Sequence, residues 1–279
     1  MSEAATQAII HDLFMLCGMA LVMALAVYAL LRAGGGPSWN YEGEVLSRPY
    51  GWADGVTALL LLAFFAWGSS AAGQAAAPTP GEPGNTSIGP LMVGMIFMLM
   101  IAAVLLAYLR IRGLNPAELF GMRQLTMKAA LFSAAGWLVL VYVAMVLSRR
   151  YLENNLFGGS WPDDSEQDPV KTFQQAGGPA LKLILAAGAV IIAPIAEETI
   201  FRGFIYGVVK SYSERWFAAI FTSLVFAAVH QHVGSLPALF VLAMGFALAY
   251  EATGCLLVPM FMHALFNALN LALLAMGRS

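Results

Sequence analysis

Charge is scarce in this chain: Asp, Glu, Lys and Arg make up 11% of its 279 residues, against about 25% in soluble globular domains. With 60% hydrophobic residues and a mean hydropathy of +0.75, there is too little polar surface for a water-soluble fold, and the composition is that of an integral membrane protein. Cysteine is nearly missing. Cys17 and Cys255 lie in or beside apolar runs, and neither their number nor their spacing makes a disulfide framework or a metal site, so both read as small buried hydrophobes. No basic cluster accompanies the net charge of −2 and pI near 6.1, which excludes a nucleic-acid partner. The basic start of a cleavable secretion signal is absent too: Glu3 and Asp12 stand in its place, with no small-residue cleavage pattern close behind the apolar run. The first run therefore reads as a retained helix. No internal repeat is visible, which counts against a transporter built from inverted halves. Finally, no His-Glu-x-x-His pair occurs, and no serine or cysteine has a recognisable activating partner.

What is present is a series of apolar runs, each about 17–25 residues long and so able to span a bilayer. Eight helices are expected, over 12–32, 54–73, 88–109, 128–148, 180–208, 215–231, 236–251 and 255–276, giving an all-α polytopic membrane protein. The stretch 74–89, with Pro78, Pro80, Gly81, Pro83 and Gly84, predicts an exposed loop. A second connection, acidic with Asp163, Asp164, Glu166 and Asp168, divides the chain. The expected organisation is a four-helix region over 1–152, an acidic loop over 153–178 and a second four-helix core over 179–279. Lysine and arginine counts in the loops favour an N-terminus on the outer side.

The first four spans hold almost nothing ionisable, whereas the last four hold a polar cluster. Residues 197–202 read Glu197-Glu198-Thr199-Ile200-Phe201-Arg202, and each charge at a helix centre costs about 2.5–3.5 kcal/mol to insert. Glu198 and Arg202 are four apart on one helix face, the spacing of an intrahelical ion pair. Glu197 points about 100° away and is the carboxylate left for a different task. Pro194, one turn earlier, removes the hydrogen bond to the carbonyl of Val190 and should kink the helix beside the carboxylates. His230 closes the run that begins at Phe226. His263 and Asn267 share a face of the last helix, with Pro259 a turn before them, and two such side chains in lipid must find partners within the bundle. His232 reads as a rim residue, His11 as a membrane-edge residue, and Glu251 is expected to reach the interface.

Bland readings exist for each: charges tying helices together, an interfacial histidine, an amide and imidazole joining two helices. As a set these residues suit hydrolysis. A carboxylate near an imidazole can hold and deprotonate a water when burial and neighbours tune its pKa. A second imidazole and an amide can stabilise the oxyanion that forms when that water attacks a carbonyl.

Glu197-Glu198-x-x-x-Arg202, then Phe226-x-x-x-His230, then His263-x-x-x-Asn267, together with the flanking Phe201-Arg202-Gly203-Phe204, resemble the motifs of the CPBP intramembrane endopeptidases. That family includes the type II CAAX prenyl proteases. The resemblance covers about residues 180–276. It implies that Glu197 and His230 activate a water, that His263 and Asn267 form an oxyanion site, and that Glu198 and Arg202 support them. It also implies a glutamic-type intramembrane protease with no cofactor, acting on a membrane-associated protein or peptide in the bilayer of a prokaryotic inner membrane. Family membership alone does not imply a prenylated substrate, and Glu197, Glu198, His230 and His263 would also suffice as zinc ligands. Two other classes stand beside it: a non-catalytic immunity or scaffold protein of the same fold, and an ion-coupled transporter with the Glu/His cluster as proton relay. One geometric condition must be met. At 1.5 Å per residue, Glu197 and His230 lie roughly 20 Å and 22 Å from Lys210 and Arg215, but His263 lies only about 12 Å into its expected helix. Either that helix begins earlier or the segment near Gly254 dips into the membrane.

Overall fold

The computed structural model describes residues 44–46, 49–75, 88–155, 170, 173, 174, 176–230 and 232–276. The expected first span, with His11 and Cys17, and most of both the Pro/Gly-rich and acidic connections fall outside these residues. Within them the chain is all helical. The helices are α1 (Trp52–Ala75), α2 (Ile88–Ile111), α3 (Met127–Asn155), α4 (Pro179–Tyr212), α5 (Arg215–Val229), α6 (Leu236–Thr253) and α7 (Leu257–Ala275), with a short helical turn Pro116–Leu119 between α2 and α3. Each expected span from residue 54 onward coincides with one of them. Helices are the form an apolar run takes where no water is at hand, because every backbone donor and acceptor within the run is satisfied inside it. The integral membrane character is plain from α3, α4, α6 and α7, which are long and apolar enough to cross a bilayer, and from shorter apolar helical stretches at Trp52–Phe64, Met95–Ile111 and Arg215–Val229. α3 also turns large apolar side chains outward, with Phe132, Val139 and Leu140 exposed while Ala130, Ala134, Leu138 and Val141 are buried. That is the pattern of a helix facing lipid on one side and protein on the other.

The helix ends follow local chemistry. Glu214 caps α5, its carboxylate accepting from the backbone N–H groups of Trp216 and Phe217 at 2.8 and 2.7 Å. Asn115 caps the short turn at 116–119, accepting from Ala117 N–H at 3.2 Å. α6 ends at Gly254, whose left-handed φ of 61° turns the chain directly into α7. The turn that follows is buried: Cys255 and Leu256 have no exposed surface, and Leu256 N–H donates to the Phe120 carbonyl at 3.0 Å. Cys255 is thus the small buried hydrophobe expected.

α4 is the centre of the bundle, in contact with α1, α2, α5, α6 and α7. It is a single long helix whose winding changes twice. α-Helical turns alternate with wider i→i+5 (π) turns at Gly188–Ile192 and Thr199–Tyr206. The first lies immediately before Pro194, where a missing N–H must be accommodated. Where Pro194 was expected to kink the helix, the turn before it is widened, and Ala193 N–H reaches back to the Gly188 carbonyl. On the other half of the core, α3 packs against α6 and α7. Glu251, expected to reach the interface, is enclosed by the protein. It is buried in an ion pair with Lys210 at 2.5 Å and accepts from the Tyr206 hydroxyl at 2.7 Å, because the end of α4 lies beside α6 and supplies both partners.

Candidate active site

Glu197 and Glu198 close the α-helical stretch Ala193–Glu198, and Arg202 lies in the wide turn that follows. The expected Glu198–Arg202 pair is formed, with Arg202 Nη1 donating to Glu198 Oε1 at 3.0 Å and both side chains without exposed surface. Arg202 Nη2 donates across to the Ala243 carbonyl of α6 at 3.1 Å. The guanidinium carbon also lies 4.5 Å from the Phe226 ring centre and 5.2 Å from that of Phe246, so aromatic faces replace the water this cation has lost.

Glu198 Oε1 is shared: His263 Nδ1 lies 3.0 Å from it. The imidazole is held in place on both sides, stacked on Phe246 at 5.2 Å and edge-on to Phe226 at 6.0 Å. Its other nitrogen, Nε2, faces Glu197, whose Oε2 is 4.0 Å away. Glu197 Oε2 is buried and has no hydrogen-bond partner, as is true of Glu198 Oε2. A buried carboxylate oxygen left without a donor is costly, and the one on Glu197 is the carboxylate oxygen that sequence spacing had left free. His263 reaches both glutamates, and the turn at 254–256 that leads into α7 is buried, with Leu256 N–H bonded to the Phe120 carbonyl.

His230 is the C-cap of α5. Its Nδ1 lies 2.7 Å from the Phe226 carbonyl, and since a carbonyl only accepts, Nδ1 carries the hydrogen. In the neutral ring that leaves Nε2 as an acceptor, the form of a general base. The ring sits 4.7 Å from that of Phe226, so this phenylalanine borders His230, His263 and Arg202 together. Asn267 Nδ2 donates to the Ala189 carbonyl at 2.7 Å, within the first wide turn of α4. An amide nitrogen has two N–H donors, so one remains.

The expected site residues thus fall into two groups. Glu197, Glu198, Arg202 and His263 are joined by direct contacts, while His230 and Asn267 are held by backbone carbonyls, and Phe226 borders His230 on one side and His263 on the other. Sequence spacing gave no sign of Phe246 and Ala243, which sit three apart on a helix whose only charged residue is Glu251. Among the described residues no group of three His, Cys, Asp or Glu side chains is arranged to hold a metal. Glu198 Oε1 is already bonded to Arg202 and His263.

Residues 179–269 match the family described as type II CAAX prenyl endopeptidase, Rce1-like. The matched residues run from α4 into α7, the helices that carry all six polar side chains. Over 137 residues the chain is 26% identical to the Bacillus subtilis (strain 168) protein named "Putative membrane peptidase YdiL", a match covering 49% of this chain and 53% of that protein. It is 37% identical over 78 residues to an "Uncharacterized 24.3 kDa protein" of Escherichia coli, covering 26% of this chain and 36% of that one. The matches thus span about half of the first relative and about a third of the second. No solved structure matches.

Proposed function

We propose that this protein is an intramembrane endopeptidase of the glutamic type, hydrolysing a peptide bond in a membrane-associated protein or peptide. The observation that carries the reading is the buried, unpartnered Oε2 of Glu197, 4.0 Å from His263 Nε2, in a region that matches an endopeptidase family. A water held between Glu197 and the free Nε2 of His230 loses its proton to this pair as its oxygen attacks the scissile carbonyl. The negative charge that develops on the carbonyl oxygen is met by the spare N–H of Asn267 and by His263. With Nδ1 given to Glu198, His263 donates from Nε2 when its ring carries both protons, a carboxylate–imidazolium pair. Collapse of the tetrahedral species breaks the C–N bond, and the departing amine takes up the proton that the water gave. Glu198 and Arg202 hold His263 in place, and the activated water needs no metal. The substrate lies in or on the membrane, in this reading a prokaryotic inner membrane, because the site is carried on membrane helices.

The test incubates purified protein with a mixed library of membrane peptides. Wild type cleaves, while Glu197→Gln and His230→Ala lose about 10²- to 10⁴-fold in rate, the usual contribution of a general base. Cleavage persists in strong chelators. Equal cleavage by all three proteins, or none by any, defeats the protease assignment. Activity lost to chelation and restored by zinc defeats the metal-free mechanism.

A further inference from the structure

Tyr50 lies outside the matched region, just before α1, yet its hydroxyl donates to the carbonyl of Gly203 at 2.9 Å. Gly207, four residues on, leaves the room on α4 that the ring occupies, while Gly203 faces Phe120 and Leu256. A Cβ at Gly207 would come within 2.5 Å of the Tyr50 ring. The ring also meets Phe204 edge-on at 5.7 Å. Burial, then Tyr250 and Asp54, push the phenol well above its usual value of 10.0, so the hydroxyl stays a donor at any working pH. The segment is anchored separately, since Lys210 Nζ donates to the Val45 carbonyl at 2.9 Å.

Gly203 follows Arg202 inside the wide turn Thr199–Tyr206. A wide turn and an α turn differ in which carbonyl each N–H reaches. A one-residue change of register would swing Arg202 by about 100° around the helix, away from Glu198. We propose that Tyr50 is a positioning residue of the proteolytic site: its bond to Gly203 holds the wide turn in the register that aims Arg202 at Glu198 and keeps Glu198 on His263. This rests on the endopeptidase reading above for its effect on rate, but not for its effect on α4.

The test uses the full chain in nanodiscs, with two readouts: kinetics on a peptide that wild type cleaves, and amide hydrogen exchange across residues 203–208. Tyr50→Phe keeps the ring and loses the bond. Its kcat falls about 10- to 100-fold, the scale of a small misplacement at a reacting centre, while KM is unchanged and exchange at 203–208 quickens. Gly207→Ala, which displaces the ring, does the same and serves if Tyr50→Phe does not fold. Tyr108→Phe is the control. Its ring also meets Phe204, at 6.2 Å, but its hydroxyl goes to Asp54 at 2.9 Å, so kcat and exchange stay as in wild type. Wild-type kcat or wild-type protection in Tyr50→Phe overturns the proposal, as does an equal loss of kcat in Tyr108→Phe. If wild type cleaves nothing, the endopeptidase reading fails, and exchange alone decides whether Tyr50 sets the register.

Discussion

Arg202 is a cation with no exposed surface, and its cost is offset by a carboxylate, a backbone carbonyl and two aromatic faces rather than by any one of them. Removing one member of such a buried pair is worse than removing both, because the partner is left charged in a medium that cannot solvate it. Arg202→Met should therefore destabilise the protein by about 3–5 kcal/mol, read as a lower midpoint of thermal unfolding in detergent. Arg202→Met combined with Glu198→Leu should recover most of that loss in stability while leaving the protein inactive, since His263 then has nothing holding Nδ1. If Arg202→Met alone matches wild type in stability, the pair contributes none. At this scale the sequence was most readable. The i,i+4 spacing of Glu198 and Arg202 announced the bond, and the odd position of Glu197 beside them announced a carboxylate without a partner.

At the scale of the element, the sequence said less. Pro194 signalled an irregularity, but the second wide turn, Thr199–Tyr206, contains no proline and has no local marker. It is stabilised from outside, by Tyr50 from a point 153 residues earlier in the chain, and contacts at that separation leave no trace in spacing. That His263 reaches the glutamates was hidden for the same reason. The start of α7 is buried against Phe120 and Gly121, and residue counts along the helix carry no sign of that contact. Two left-handed glycines make that burial possible, Gly121 and Gly254, each with φ of 61°. A Cβ on Gly121 would lie 1.7 Å from the Gly254 carbonyl oxygen, whereas Gly113, at φ of 76°, has nothing within 4 Å. Gly113→Ala should cost only the left-handed strain, about 1–2 kcal/mol. Gly121→Ala should cost that and about 1–3 kcal/mol more for forced repacking, and should lower activity because the turn carrying α7 is pushed out. Unfolding midpoints of the two variants, compared side by side, check this. Equal losses would mean that the close approach of Gly121 to Gly254 is not a constraint.

For the whole molecule, the question is how the half before the acidic connection serves the half that carries the polar cluster. α3 packs along α6 and α7: Tyr142 donates to Asn270 at 3.0 Å and its ring lies 5.6 Å from Phe266. It meets α6 at Gly245, where a Cβ would lie 2.2 Å from Val141 Cγ2, the small-residue contact by which membrane helices come together. The neighbour of Gly245 is Phe246, on which His263 is stacked. A wedge at Gly245 therefore acts in two directions, parting α3 from α6 and tilting the ring that steadies His263. Gly245→Ala should destabilise by about 1–3 kcal/mol, the ordinary cost of overpacking, and should reduce kcat along with it. Val141→Ala in the same chain removes the methyl groups that the new Cβ meets. The double variant should regain both stability and rate, so that the two substitutions are far from additive, as contacting residues are. Melting midpoints and kcat for the two single variants and the double variant form the complete cycle. Additive losses would show that α3 and the helices α6 and α7 are merely neighbours. A recovered double variant would show that the spacing between the two halves is set at Gly245 and transmitted to the site through Phe246.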